Sequence, residues 1–222
     1  MDAGTLIQTV AIYAFPVLFA ITLHEAAHGY VARHYGDMTA YAQGRVSLNP
    51  LRHIDPIGTI VVPVFILVTT IAAGTGGFLF GWAKPVPVNF SALRKPRQHM
   101  AWVAAAGPAA NLAMALAWAA LLKIATLLPA NGFSLPLGLM AEAGIIVNLV
   151  FMFLNLLPIL PLDGGRILAS LLPNRAAWRY AKLEPFGLIL LILLILPPLN
   201  ILGKILNPLV DASDALIRAI VL

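Results

Sequence analysis

From Ala3 to His28 the chain reads AGTLIQTVAIYAFPVLFAITLHEAAH, a run with no charge as far as Leu23 that leads straight into His24-Glu25-Ala26-Ala27-His28. A bilayer core of about 30 Å takes roughly 20 helical residues, so this stretch is long enough to cross one. It lacks the basic start and the small-residue cleavage site of a secretory signal and is read as a retained helix, from about Thr5 to Tyr35 and ending near Gly36. On a helix turning 100° per residue, His24 and His28 lie about 40° apart and one turn along the axis, so both imidazoles reach one ion. Glu25 falls beside them, placed to take a proton from a water at that ion while staying out of its ligand shell.

With five histidines and three glutamates in 222 residues, this pattern arises by accident in roughly one or two of a thousand such chains. The plain alternative is two histidines satisfied by hydrogen bonds in a helix bundle. Three ionisable side chains at ligand spacing inside an apolar span weigh against it, because such groups are costly there and mark function.

Working outward, the chain is 60% hydrophobic and 10% charged, far below the roughly 25% charge of a soluble domain. Ala101 to Leu122 is a second uncharged run. The net charge of +5 sits in short clusters between apolar runs, which suits loops that orient membrane helices rather than nucleic-acid binding. There is no cysteine, so a metal must be held by His, Asp or Glu.

The apolar pattern predicts helices over about Gln98 to Leu128, stopped by Pro129, and Leu137 to Leu157. Gly44 to Asn49 has the alternation of a short strand, Phe78 to Phe90 reads as extended, and Ile57 to Ala73 is apolar but interrupted by Pro63. Phe186 to Leu206 is broken by Pro197-Pro198, and the tail to Leu222 fits an interfacial amphipathic helix. The expected fold class is an all-α integral membrane protein, one polytopic domain over residues 1–222. It has about four to six transmembrane helices and a re-entrant or extended element near the site.

A catalytic zinc ion takes three protein ligands and leaves a position for water. Of the remaining acids, Asp163 is best placed as third ligand, in Asn155-Leu156-Leu157-Pro158-Ile159-Leu160-Pro161-Leu162-Asp163-Gly164-Gly165. The prolines end the helix there and the glycines allow a tight backbone that aims a short carboxylate. Read alone, this stretch also fits a plain loop.

The pairing of His24-Glu25-Ala26-Ala27-His28 with Asn155, Pro158 and Leu162-Asp163-Gly164 resembles the site-2 protease family of intramembrane metalloproteases, and Gly107-Pro108-Ala109-Ala110-Asn111 between them is similar to that family too. The resemblance spans roughly Ile21 to Ile167. It implies one Zn2+ held by His24, His28 and Asp163, Glu25 as catalytic base, and Asn155 as a stabiliser of the oxyanion or an orienter of substrate. An Asn in a membrane helix also serves simply to link helices. The chain has no room for an inserted PDZ domain, so recognition of transmembrane substrates falls to membrane segments or to a regulatory membrane partner.

Arg33, Arg45 and Arg52 follow the first helix, which puts the N-terminus outside and the site towards the cytoplasm, at the cell membrane in a prokaryote. Lys84, Arg94, Lys95 and Arg97, and later Arg166, Arg175, Arg179 and Lys182, want the same side. For His28 and Asp163 to meet, the Ile57 to Ala73 segment must re-enter or be brought back. The rival readings are a membrane metal-ion transporter, which calls for His or acids strung along several helices, and a metal-binding membrane protein without catalysis.

Overall fold

The computed structural model describes residues 3–61, 84–129, 131–195 and 200–221. Among them every regular element is helical. Three helices, α1 (Ala3–His34), α3 (Pro96–Leu127) and α4 (Ser134–Leu156), are long and apolar enough to cross a membrane, and α7 (Glu184–Ile195) is a shorter apolar helix. Between and after them lie α2 (Thr39–Ala42), α5 (Asp163–Leu171), α6 (Asn174–Ala181) and α8 (Ile201–Val221).

The helix ends follow from local chemistry. At the end of α1, Gly36 takes a left-handed φ of 108° while its N–H donates to Arg33 and that of Asp37 donates to Ala32. This is the Schellman closure that a glycine at this position allows. The buried Asp37 carboxylate then accepts from Thr39 N–H, opening α2, and from Asn89 N–H, which ties the extended residues 84–89 to the foot of α1. Pro96 begins α3, where its missing N–H costs nothing.

The bundle core lies between α3 and α4. Met114, Trp118 and Leu122 interleave with Ile145, Leu149 and Met152, and α8 adds Val210 and Ile217. Close approach depends on Gly144, since a Cβ there would lie 2.3 Å from the Trp118 ring. Small residues at such contacts let membrane helices pack by dispersion, where lipid offers no hydrophobic drive. Pro16, Ala20 and Ala32 are buried on α1, which packs against both of these helices. The outward surface is apolar, with Ile7 69% and Leu127 74% exposed, as a lipid-facing surface is.

Two sequence expectations change. Gly44 to Asn49 is not a strand: the Arg45 N–H turns back to the Ala40 carbonyl, Asn49 N–H to Ser47 Oγ, and Arg52 to the Gly44 carbonyl. With these groups met by its own turn and no strand among the described residues, alternation alone makes no ladder. The tail is helical and amphipathic, yet its apolar stripe of Leu202, Leu206, Val210 and Ile217 is buried, α8 packing on α4, α3 and α7. The re-entrant reading of Ile57 to Ala73 falls mostly outside the described residues. Only its start, within the π-helical turn Pro56–Val61, is inside them.

Gly144→Ala is expected to destabilise the protein by about 1–3 kcal/mol, read as a lower melting temperature in detergent. Gly132→Ala, where an added Cβ meets nothing within 4 Å, should leave it unchanged.

Candidate metal centre

His24 and His28 lie one turn apart on α1 with their rings edge to face and their Nε2 atoms 3.1 Å apart. The Asp163 carboxylate closes the triangle, Oδ2 lying 3.2 Å from His24 Nε2 and 3.3 Å from His28 Nε2. All three residues are buried. The rear nitrogen of each imidazole is occupied. His28 Nδ1 lies 2.7 Å from the Val103 carbonyl, which can only accept, so Nδ1 carries the proton. His24 Nδ1 lies 2.6 Å from Asn111 Oδ1 and is held the same way. Both Nε2 lone pairs then turn towards Asp163, whose Oδ2 is buried without an aimed hydrogen bond.

Three acceptors facing one another need a cation between them. A tetrahedral zinc ion with ligands at 2.0–2.1 Å spaces its donors about 3.3 Å apart, and the observed separations of 3.1, 3.2 and 3.3 Å match it. Gly107 on α3 faces the same point: a Cβ there would lie 2.5 Å from His24 Cε1 and 2.5 Å from His28 Nε2. The donor set, the unmet oxygen and the bare backbone opposite all fit a metal ion.

Asp163 reaches this place because α4 stops at Leu156 and the chain doubles back through a tight loop, with a cis Leu160–Pro161 bond, into the first turn of α5. Gly164 and Gly165 are needed there for close approach. A Cβ on Gly164 would lie 2.1 Å from the Leu156 carbonyl, and one on Gly165 would lie 2.6 Å from the Ile159 backbone. Neither has positive φ, so room for the backbone, and not left-handed freedom, is what the pair supplies.

Glu25 stands beside the triangle and outside it. Its Oε2 accepts from the Val86 N–H at 2.7 Å, and its neighbour in the extended segment, Pro85, is fixed by Arg45, which donates to the Lys84 and Pro85 carbonyls. Asn155, at the end of α4, gives its Nδ2 to the Phe151 carbonyl at 3.0 Å. A cavity of about 640 Å³ brings His24, Glu25, His28, Asn155 and Asp163 onto one wall, with Leu188, Leu191 and Ile195 of α7 among the apolar residues that line it. Every site residue expected from the sequence thus meets at one place. Not foreseen were the Val103 carbonyl, the Val86 N–H and the contact of Gly107 with the imidazoles. Asn148, wholly buried on α4, was also missed, although a lone amide in an otherwise apolar helix is itself a signal. His53, outside this group, is a buried loop residue whose Nε2 meets the Ser47 carbonyl. Glu142 faces Arg218 of α8 at 3.9 Å.

An all-helical membrane protein with a buried His-His-Asp cation site is the class that this fold and centre define. Among known proteins, the chain is 38% identical to the putative zinc metalloprotease YwhC of Bacillus subtilis over 91% of this chain and 87% of that one. It is 32% identical to the putative zinc metalloprotease Rip2 of Mycolicibacterium smegmatis over 82% and 66%, and 31% identical to Rip2 of Mycobacterium tuberculosis over 88% and 69%. No family model matches the chain, and no solved structure does. On the strength of these relatives, the chain belongs to the site-2 protease family.

Gly107→Ala is expected to lower metal retention roughly 10–100-fold, the loss typical when the support of ligating side chains is disturbed, as read by metal analysis of the purified protein.

Proposed function

We propose that this protein is a zinc metalloendopeptidase that hydrolyses peptide bonds in or near the transmembrane segments of other membrane proteins. One observation carries the reading: three buried donors at tetrahedral spacing, with a carboxylate that is not a ligand next to them, on the wall of a cavity within an apolar bundle. The relatives named as zinc metalloproteases support it.

His24, His28 and Asp163 would hold the ion. When bound, it supplies a Lewis acid that polarises a peptide carbonyl and makes an attacking water more acidic. Glu25 takes the proton released as that water attacks and hands it to the departing amine, one oxygen staying anchored on the Val86 N–H. Asn155, on the same wall, steadies the substrate backbone through its side-chain amide. A helical substrate has its carbonyls already paired, so it must unwind locally before one is attacked, which a site walled by protein and water permits at membrane depth.

Residues 85–88 of the extended segment 84–89 line this cavity, but the segment offers a substrate few donors. The Lys84 N–H goes to the His53 carbonyl, those of Val86 and Asn89 go to Glu25 and Asp37, and Pro85 and Pro87 have none. A substrate strand would therefore be held mainly through its own N–H groups, donating to carbonyls of this segment. Arg33, Arg45 and Arg52 at the catalytic end of α1 favour a cytoplasmic site. Among the described residues only one group of His and acids has metal-ligand spacing, which disfavours a transporter, where such groups would mark a path.

Glu25→Gln should keep its zinc and lose roughly 10²–10⁴-fold in cleavage of single-span membrane peptides by the purified protein. Cleavage at the wild-type rate in that variant would rule out Glu25 as the base.

A further inference from the structure

Two amides with no contact to solvent lie behind the centre. Asn111 on α3 and Asn148 on α4 are both 0% exposed, in helices that otherwise present aliphatic and aromatic side chains to one another. Their hydrogen bonds form a directed chain. Asn148 Nδ2 donates to the Gly144 carbonyl, one turn back on its own helix, at 2.8 Å. A carbonyl has no proton to offer, so the amino group of Asn148 must point there and its oxygen must point the other way. That oxygen meets Asn111 Nδ2 at 3.0 Å, and the same amino group lies 3.4 Å from the Ala20 carbonyl of α1. Asn111 is oriented in turn, with Oδ1 left to face His24 Nδ1 at 2.6 Å. An amide oxygen at that place takes a proton from the imidazole, and His24 keeps its Nε2 lone pair for an ion.

We propose that Asn148 acts as a positioning residue for the metal centre. Through Asn111 it fixes the polarity of a buried amide relay that locks His24 in the tautomer able to bind the ion. The inference rests on the zinc reading above. Each step removes one ambiguity: a backbone carbonyl settles Asn148, Asn148 settles Asn111, and Asn111 settles His24. His28 needs no such device, since a backbone carbonyl faces its Nδ1 directly. The relay also joins three helices, so the register of α4 against α3 and α1 is tied to the aim of a ligand.

Without Asn148, the Asn111 amino group keeps only the longer contact to Ala20, and the amide is freer to turn over. Turned over, it offers a donor to His24 Nδ1, drives the imidazole proton to Nε2 and spoils the ligand. A carboxylate at position 111 escapes this, because both of its oxygens accept. The two positions should therefore be coupled in a specific direction.

The test uses the full chain purified in detergent, with zinc affinity measured by competition against a chromophoric chelator and the melting temperature of the zinc-free protein as control for folding. Asn148→Leu is expected to weaken zinc binding about tenfold, and Asn111→Leu, which removes the acceptor itself, roughly 10–100-fold. In an Asn111→Asp background, where a carboxylate oxygen faces His24 whichever way the side chain turns and no donor is left for the Asn148 oxygen, Asn148→Leu should cost nothing. Asn148→Ala serves in place of Asn148→Leu if the larger side chain unfolds the protein. If the Asn148 substitution costs the same in both backgrounds, or costs nothing in the wild type, the relay is wrong and the pair is only a link between helices. If the wild type itself binds no zinc, it is the reading of the centre that fails.

Discussion

Two imidazole lone pairs and a carboxylate oxygen face one another across 3.1 to 3.3 Å inside an apolar bundle. Unpaired acceptors in such a place cost free energy that only a cation returns. Much of the rest of the architecture answers to that constraint. The backbone of α3 is bare at Gly107, where a Cβ would collide with both imidazoles, and the chain after α4 doubles back on glycines to deliver a carboxylate from far along the sequence. The foot of α1 is pinned by Gly36 and Asp37, which also brings the extended residues 84–89 to Glu25.

The polar groups within the membrane-spanning helices are distributed economically. One buried set points at the centre or at its supports: His24 and His28 at the ion, Asn111 and Asn148 behind His24, the Val103 carbonyl behind His28, while Thr22 and Ser134 donate to nearby backbone carbonyls. The outer surfaces of α1, α3 and α4 carry large apolar side chains instead. This division lets one face of a helix satisfy lipid while the other holds charged chemistry, the arrangement expected where intramembrane ionisable groups must face inward.

Much of this was legible in the residues. The three long helices follow from apolar runs, two of their limits from Gly36 and Pro129, and the pairing of His24 with His28 from helical periodicity. Asp163 stood out because prolines and glycines surround it. The Gly44 to Asn49 segment misled because alternation records which side chains face out, whereas a strand also needs a partner, and arginine side chains take three of the carbonyls in this region instead. The amide relay was hidden for another reason. Asn111 and Asn148 sit 37 residues apart on different helices, and only the crossing of those helices shows that one orients the other. Backbone groups such as the Val103 carbonyl carry no residue signature at all.

X-ray absorption at the zinc edge of the loaded protein, set beside that of Asp163→Ala, tests the centre most directly. The account predicts one zinc per chain with two imidazole nitrogens and two oxygens at about 2.0–2.1 Å, and loss of one oxygen or of the ion itself in the variant. A spectrum without paired imidazoles, or one that Asp163→Ala leaves unchanged, would contradict it.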